Sequence, residues 1–223
     1  MNIFNLFYNV NFVYSIILRV FCLGIVISSF EYLFTIKEYS KGGIFSWDVF
    51  RLTPTVLNSR LYSSKFDVVF EKKGIGILIS LRLFSSTYLL FSPFTTLTLY
   101  LIGLIAITSL LLSFRNIAGN DGSDQMNSII CITLLITFLF KGGDIGRLGL
   151  YFICAQSILS YVVAGIAKLI SPKWRKGMAI YEIMNTKTYG DKRVAHILKT
   201  RPPVFTRFLN WNIISFECLY ILV

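Results

Sequence analysis

Long apolar stretches, separated by short polar or charged connections, recur along the whole chain. Each is long enough for several turns of helix, and together they occupy residues 12–34, 74–91, 94–114, 126–140, 148–167 and 204–223. A helix that crosses the hydrocarbon core of a bilayer needs about 20 such residues. The pattern therefore predicts an all-α, polytopic integral membrane protein with about six transmembrane helices, forming a single domain over residues 1–223.

The connections add detail to this prediction. Residues 35–73 mix aromatic and basic side chains, which favours short interfacial helices on the membrane surface. Ser92 and Pro93 predict a tight break between the second and third helices. The fourth stretch has only 15 apolar residues, too few for a core about 30 Å thick. Either its helix begins inside the polar connection before it, or the protein thins or fills the membrane there.

Composition agrees with a multi-pass protein of the cell membrane. Hydrophobic residues make up 55% of the chain and the mean hydropathy is +0.66. In so apolar a chain, the net charge of +11 indicates loops that face anionic lipid headgroups, and we expect no nucleic-acid partner. His196 is the only histidine and the cysteines lack metal-binding spacing, so no metal site is expected. The uncharged N-terminus does not resemble a cleaved signal peptide.

The charges also bear on orientation. With six helices, the connections after the first, third and fifth share one side and carry 17 Lys and Arg residues, against two on the other side. The positive-inside rule would make the first side cytoplasmic and place both termini outside.

Lys168 is the most informative charge, because it lies inside an apolar run at the end of the fifth stretch. Tyr161, Ala164 and Gly165 precede it on the same helical face, where small residues admit a neighbouring helix and a tyrosine hydroxyl can share a pocket. Trp174 follows at the predicted interface. One interpretation is a lysine that snorkels to the headgroups, and the other is a functional lysine, in which case Lys168 and Tyr161 are candidate catalytic residues.

The polar connection between the third and fourth stretches is the second candidate. Its candidate site residues are Arg115, Asn116, Asp121, Asp124 and Gln125, on the same side as the end of the Lys168 helix. Interrupted spans beside polar residues often form sites in membrane proteins, although Asn, Asp and Gly also form ordinary turns. We expect Arg115 to pair with one of the aspartates.

Three further charges lie within or beside the apolar stretches. Arg19, Arg82 and Glu217 are interpreted as members of structural intramembrane ion pairs, with the pairing left open.

Two motifs resemble the HTTM family, the membrane domain shared with vitamin K-dependent gamma-carboxylases. The first is a span ending in an AG-x-x-K-L element, followed by a tryptophan and a glycine. The second is RN followed by a glycine-and-aspartate turn. The matching residues are Ala164, Gly165, Lys168, Leu169, Trp174 and Gly177 for the first motif, and Arg115, Asn116, Asp121, Gly122 and Asp124 for the second.

The DGSDQ form is most similar to the sporulation-delaying protein B (SdpB-like) branch of that family. This resemblance implies a bacterial membrane factor that helps to mature or export a small secreted antimicrobial peptide, with a companion maturation protein as a further partner. Lys168 and Asp124 would be catalytic residues, with Arg115, Asn116, Asp121, Gln125 and Trp174 binding substrate.

Two other functions stay open. One is a quinone-dependent carboxylase or epoxidase with Lys168 as base and a quinone as cofactor, although Asp124 and Gln125 replace the Asn–His pair of the carboxylases. The other is a transporter or immunity protein. The resemblance places the site toward the outer side, against the charge count. It also implies that the domain continues past the FE-x-L element at Phe216, so we expect a truncated C-terminus.

Overall fold

A computed structural model describes residues 10–43, 45–52, 64–93, 95–115, 122–140, 143–186 and 190–222. Every regular element in these ranges is a helix, which confirms the predicted all-α class. The α-helices are α1 (Val10–Phe34), α2 (Trp47–Phe50), α3 (Ser64–Phe70), α4 (Lys72–Phe91), α5 (Thr96–Arg115), α6 (Gly122–Phe140), α7 (Gly143–Ile170), α8 (Pro172–Arg175), α9 (Ala179–Met184), α10 (Lys192–Thr200) and α11 (Pro203–Leu219). Short 3-10 turns cover Ile36–Tyr39 and Tyr220–Leu222.

Five of the described helices are long and apolar enough to cross a membrane, namely α1, α4, α5, α6 and α7. The break at Ser92 and Pro93 is confirmed, because α4 ends at Phe91. The fourth apolar stretch forms α6, which begins at Gly122 inside the polar connection and so gains the length that the apolar stretch lacked. The sixth predicted stretch forms α11, whose 17 residues rise only about 25 Å.

The chain forms two compact units, Met1–Ile153 and Cys154–Val223, and the boundary falls inside α7. In the first unit, α1 packs along α4, α4 along α5, and α5 along α6. The buried residues of α1 recur every three or four positions, as expected for one face of a helix, and they are Tyr14, Leu18, Phe21, Cys22, Ile25 and Ser29.

Large apolar side chains also cover the outer face of α1. Val20, Leu23 and Ile27 are each more than half exposed. A helix that is apolar on every side is typical of a membrane span, where the outer face contacts lipid instead of water. This pattern agrees with the membrane character predicted from the sequence.

In the second unit, α11 runs antiparallel to the end of α7. Gly177, with a φ of +86°, closes the turn after α8, and a methyl group there would lie 2.7 Å from the Arg207 backbone. At the other end of the contact, a methyl group on Gly165 of α7 would lie 2.8 Å from the backbone nitrogen of Cys218, eleven residues after Arg207 on α11. The two glycines therefore let backbones approach closely at both ends of this contact.

Candidate functional site

Lys168 forms an ion pair with Glu217 in the second unit. Lys168 lies in the last turn of α7 and Glu217 near the end of α11. The Lys168 Nζ atom donates to both carboxylate oxygens of Glu217 at 2.5 Å. The side chains of Lys168 and Glu217 are 22% and 14% exposed, so the pair is largely buried but still partly accessible.

This geometry decides how Lys168 is held. A snorkelling lysine extends its amine to the headgroups at the end of its helix. Here the amine binds a protein carboxylate instead. Glu217 lies ten residues, or about 15 Å, along α11 from Arg207, the residue that packs against Gly177. Gly165, one turn earlier on α7, brings the α11 backbone close enough for the two side chains to meet.

Trp174 completes the surroundings of the amine. Pro172 starts α8 directly after α7, and this short helix carries the indole to 5.3 Å from the Lys168 Nζ atom, measured to the ring centroid. A cation over an aromatic face at this distance is attracted by the ring quadrupole. Lys168 and Trp174, two of the candidate site residues, therefore lie side by side in the structure.

Tyr161 has a different environment from the one that its spacing predicts. Its ring stacks on Tyr220 at 4.3 Å and meets Phe216 edge-on at 6.0 Å. These contacts bind α7 to α11 one or two turns away from Lys168. The tyrosine therefore has a packing role in the described structure.

The sequence interpretation did not assign Glu217 to the site. It treated Glu217 as a partner of an intramembrane arginine, whereas Glu217 binds Lys168. The available signal was that Lys168, at the end of the fifth apolar stretch, and Glu217, inside the sixth, carry opposite charges. Stretches that follow one another in a chain usually pack together, so their charges are the first candidates for a pair.

Asn210 lies on the same face of α11 as Glu217, seven residues earlier. It is fully buried, and neither polar atom of its side-chain amide has a hydrogen-bond partner among the described residues. A buried amide without a partner is costly, so this position adds an unsatisfied polar group near the ion pair.

Asp124 is partly exposed and lies in the first unit, where its charge acts on a buried arginine. It lies in the first turn of α6, and its carboxylate attracts the guanidinium of Arg82 on α4. Arg82 is only 3% exposed, and its Nη2 donates to the Ser28 hydroxyl at 2.8 Å while its Cζ lies 5.5 Å from the Tyr32 ring centroid. The Nε of Arg82 has no partner among the described residues. The adjacent Gln125 is exposed.

Arg115 is enclosed by aromatic rings and backbone carbonyls. It is 1% exposed, and its guanidinium donates to the carbonyl oxygens of Phe45 and Phe70. Its Cζ also lies 4.6–5.6 Å from the ring centroids of Tyr39, Trp47 and Phe50.

The described contacts of Arg115 therefore satisfy the cation without Asp124, whose charge acts on Arg82. Asn116 and Asp121 lie outside the described residues. In the described structure, Arg115 joins the segment after α1 to the end of α5. These contacts give Arg115 a structural role, and the substrate-binding role that the family motif implies stays a prediction.

The chain matches no protein-family model, no curated protein and no solved structure. The resemblance to the HTTM family therefore depends on its motif residues, of which Lys168, Trp174 and Gly165 come together in the second unit.

Proposed function

We propose that this chain is an integral membrane protein whose functional centre is the Lys168–Glu217 ion pair. In this proposal it acts as an SdpB-like factor in the maturation or export of a small secreted antimicrobial peptide. The observation that carries the proposal is a close, largely buried ion pair between two apolar helices. Charged groups in such surroundings are costly to maintain, and they commonly mark sites of binding or transfer.

The geometry suits recognition of a peptide. The ammonium of Lys168 can exchange its carboxylate partner for one on a substrate, while Glu217 can accept hydrogen bonds from a substrate amine. The indole of Trp174 supplies an apolar face beside the amine. Together these groups can bind both a charged terminus and an apolar side chain of a peptide.

The ion pair also separates this proposal from the quinone-dependent alternative. A lysine that acts as a base must lose its proton before it reacts. In the structure Glu217 binds the amine at 2.5 Å, an arrangement that presents Lys168 as a ligand for carboxylates. We therefore place the binding role first and keep the role as base as the alternative.

The decisive variant is Lys168→Met combined with Glu217→Gln, expressed together with a gene for a small secreted antimicrobial peptide. Replacing both partners by uncharged residues of similar size preserves packing and leaves no unpaired charge. We expect normal accumulation in the membrane and no release of active peptide, measured by growth inhibition of an indicator strain. Active peptide at the normal level would show that the pair only joins the helices, and would contradict the proposal.

Two further variants make the experiment specific. Lys173→Met with Glu182→Gln removes an exposed ion pair of the same unit, with 2.7 Å between its charged atoms, and it should leave peptide release unchanged. Lys168→Arg tests the alternative, because arginine keeps the charge but does not act as a base. Partial activity in the arginine variant fits a binding role, whereas complete loss with a stable protein would favour the quinone-dependent enzyme.

A further inference from the structure

Helix α10 carries three different stripes of side chains. Ala195 and Leu198 are buried against the rest of the second unit. Val194 and Ile197, the neighbouring apolar pair, are 40% and 51% exposed. Residues three or four positions apart share a face of a helix. The apolar surface of α10 therefore has two stripes, one of Ala195 and Leu198 that faces the protein and an open one of Val194 and Ile197.

The third stripe is basic. Lys192, His196 and Lys199 follow one another at spacings of four and three residues and are all exposed. Arg193 lies between this stripe and the open apolar stripe, being three residues from His196 and four from Ile197. The open surface of α10 therefore changes from apolar to cationic around the helix, as in helices that lie at a bilayer surface.

The carboxylates of this unit do not neutralise these cations. Residues 154–223 contain three acidic and ten basic side chains. Glu217 binds Lys168, and Glu182 binds Lys173. The third carboxylate, Asp191, caps α10 itself by accepting from the backbone N–H of Arg193 at 2.6 Å.

We infer that α10 binds the surface of an anionic bilayer, with Val194 and Ile197 among the acyl chains and the basic stripe against phospholipid phosphates. The exposed apolar stripe favours a membrane over an acidic soluble protein, because lipid supplies both an apolar layer and negative charge. The connection between α7 and α11 is where such contact is expected, since α7 is long and apolar enough to span. This inference rests on the membrane location proposed above.

The test uses the full chain in vesicles of equimolar phosphatidylglycerol and phosphatidylcholine. A photoactivatable phenylalanine analogue replaces Ile197 in the test variant. It replaces His196, on the basic stripe, in a matched control, and Ile166, an exposed residue of α7, in a variant that reports on insertion of that helix. Mass spectrometry then identifies what each probe has attached. We expect phospholipid adducts at Ile197 and few at His196, with phosphatidylglycerol enriched about fivefold over phosphatidylcholine, the preference that one basic residue near the surface provides.

The enrichment should fall when Lys192, Arg193 and Lys199 are all replaced by Gln, while the adducts at Ile166 stay unchanged. Lipid adducts at Ile166 with none at Ile197 would overturn the inference and leave the membrane proposal intact. Absence of adducts at both positions would overturn both. Equal amounts of the two lipids at Ile197 would refute the anionic preference, and protein adducts there would assign the face to a protein partner.

Discussion

Breaking the Lys168–Glu217 pair from one side should cost more than removing it altogether. With 2.5 Å between charged atoms, the Coulomb attraction is about 7 kcal/mol at an effective dielectric constant near 20, and about 2 kcal/mol in water. The side chains are 22% and 14% exposed, which places the pair between these limits. Allowing for solvent at the open edge, we expect a coupling free energy of about 2–4 kcal/mol.

The assay is a double-mutant cycle of Lys168→Met and Glu217→Gln. Free energies of unfolding are measured by denaturation in mixed detergent micelles. Each single variant should lose about 1–2 kcal/mol of unfolding free energy, because it leaves a largely buried charge without its partner, while the double variant should stay near the wild-type value. The same cycle on Lys173 and Glu182, which are 63% and 44% exposed, should give a coupling below about 1 kcal/mol. Additive losses at Lys168 and Glu217, to within about 0.5 kcal/mol, would refute the desolvated pair.

Two further predictions concern stability in the same assay. Gly165→Ala should lower the free energy of unfolding by about 1–3 kcal/mol, because the added methyl group would lie 2.8 Å from the backbone of Cys218. The matched change Gly103→Ala, whose methyl group would lie 3.9 Å from its nearest neighbour, should be neutral or stabilising. Equal effects of the two changes would contradict the close helix contact. Arg115→Lys should lose about 2 kcal/mol, because a lysine cannot reproduce two forked hydrogen bonds within an aromatic enclosure. The exposed Arg147→Lys should change little, and a similarly small loss at Arg115 would show that a point charge is sufficient there.

The helices were predictable because their signal is local. The lengths of the apolar stretches and the Ser92–Pro93 break determine where helices begin and end, and neither depends on which helices pack together. The start of α6 at Gly122 was one of the two alternatives that its short apolar stretch left open. The all-α class follows from the same local information.

Partners of charged residues were harder to predict, because they depend on how each helix is rotated about its axis. The expected acidic partner of Arg115 assumed that only a carboxylate can satisfy a buried cation. The described structure supplies two carbonyls and three rings from the residues between α1 and α4, while Asp121, one of the two expected partners, lies outside the described residues. Lys168 likewise binds Glu217, a choice that the spacing of residues within one helix cannot reveal.

The enclosure of Arg115 has a consequence for the order of events during synthesis. Its guanidinium binds the carbonyl of Phe45, which is made 70 residues earlier. At roughly 5–20 residues per second, the ribosome needs about 4–14 s to supply the arginine after this partner emerges. During that interval Trp47 and Phe50 lack the cation around which they later pack. Aromatic side chains are well suited to the headgroup region of a bilayer, so in the membrane protein proposed here the bilayer surface would hold this segment until α5 is made.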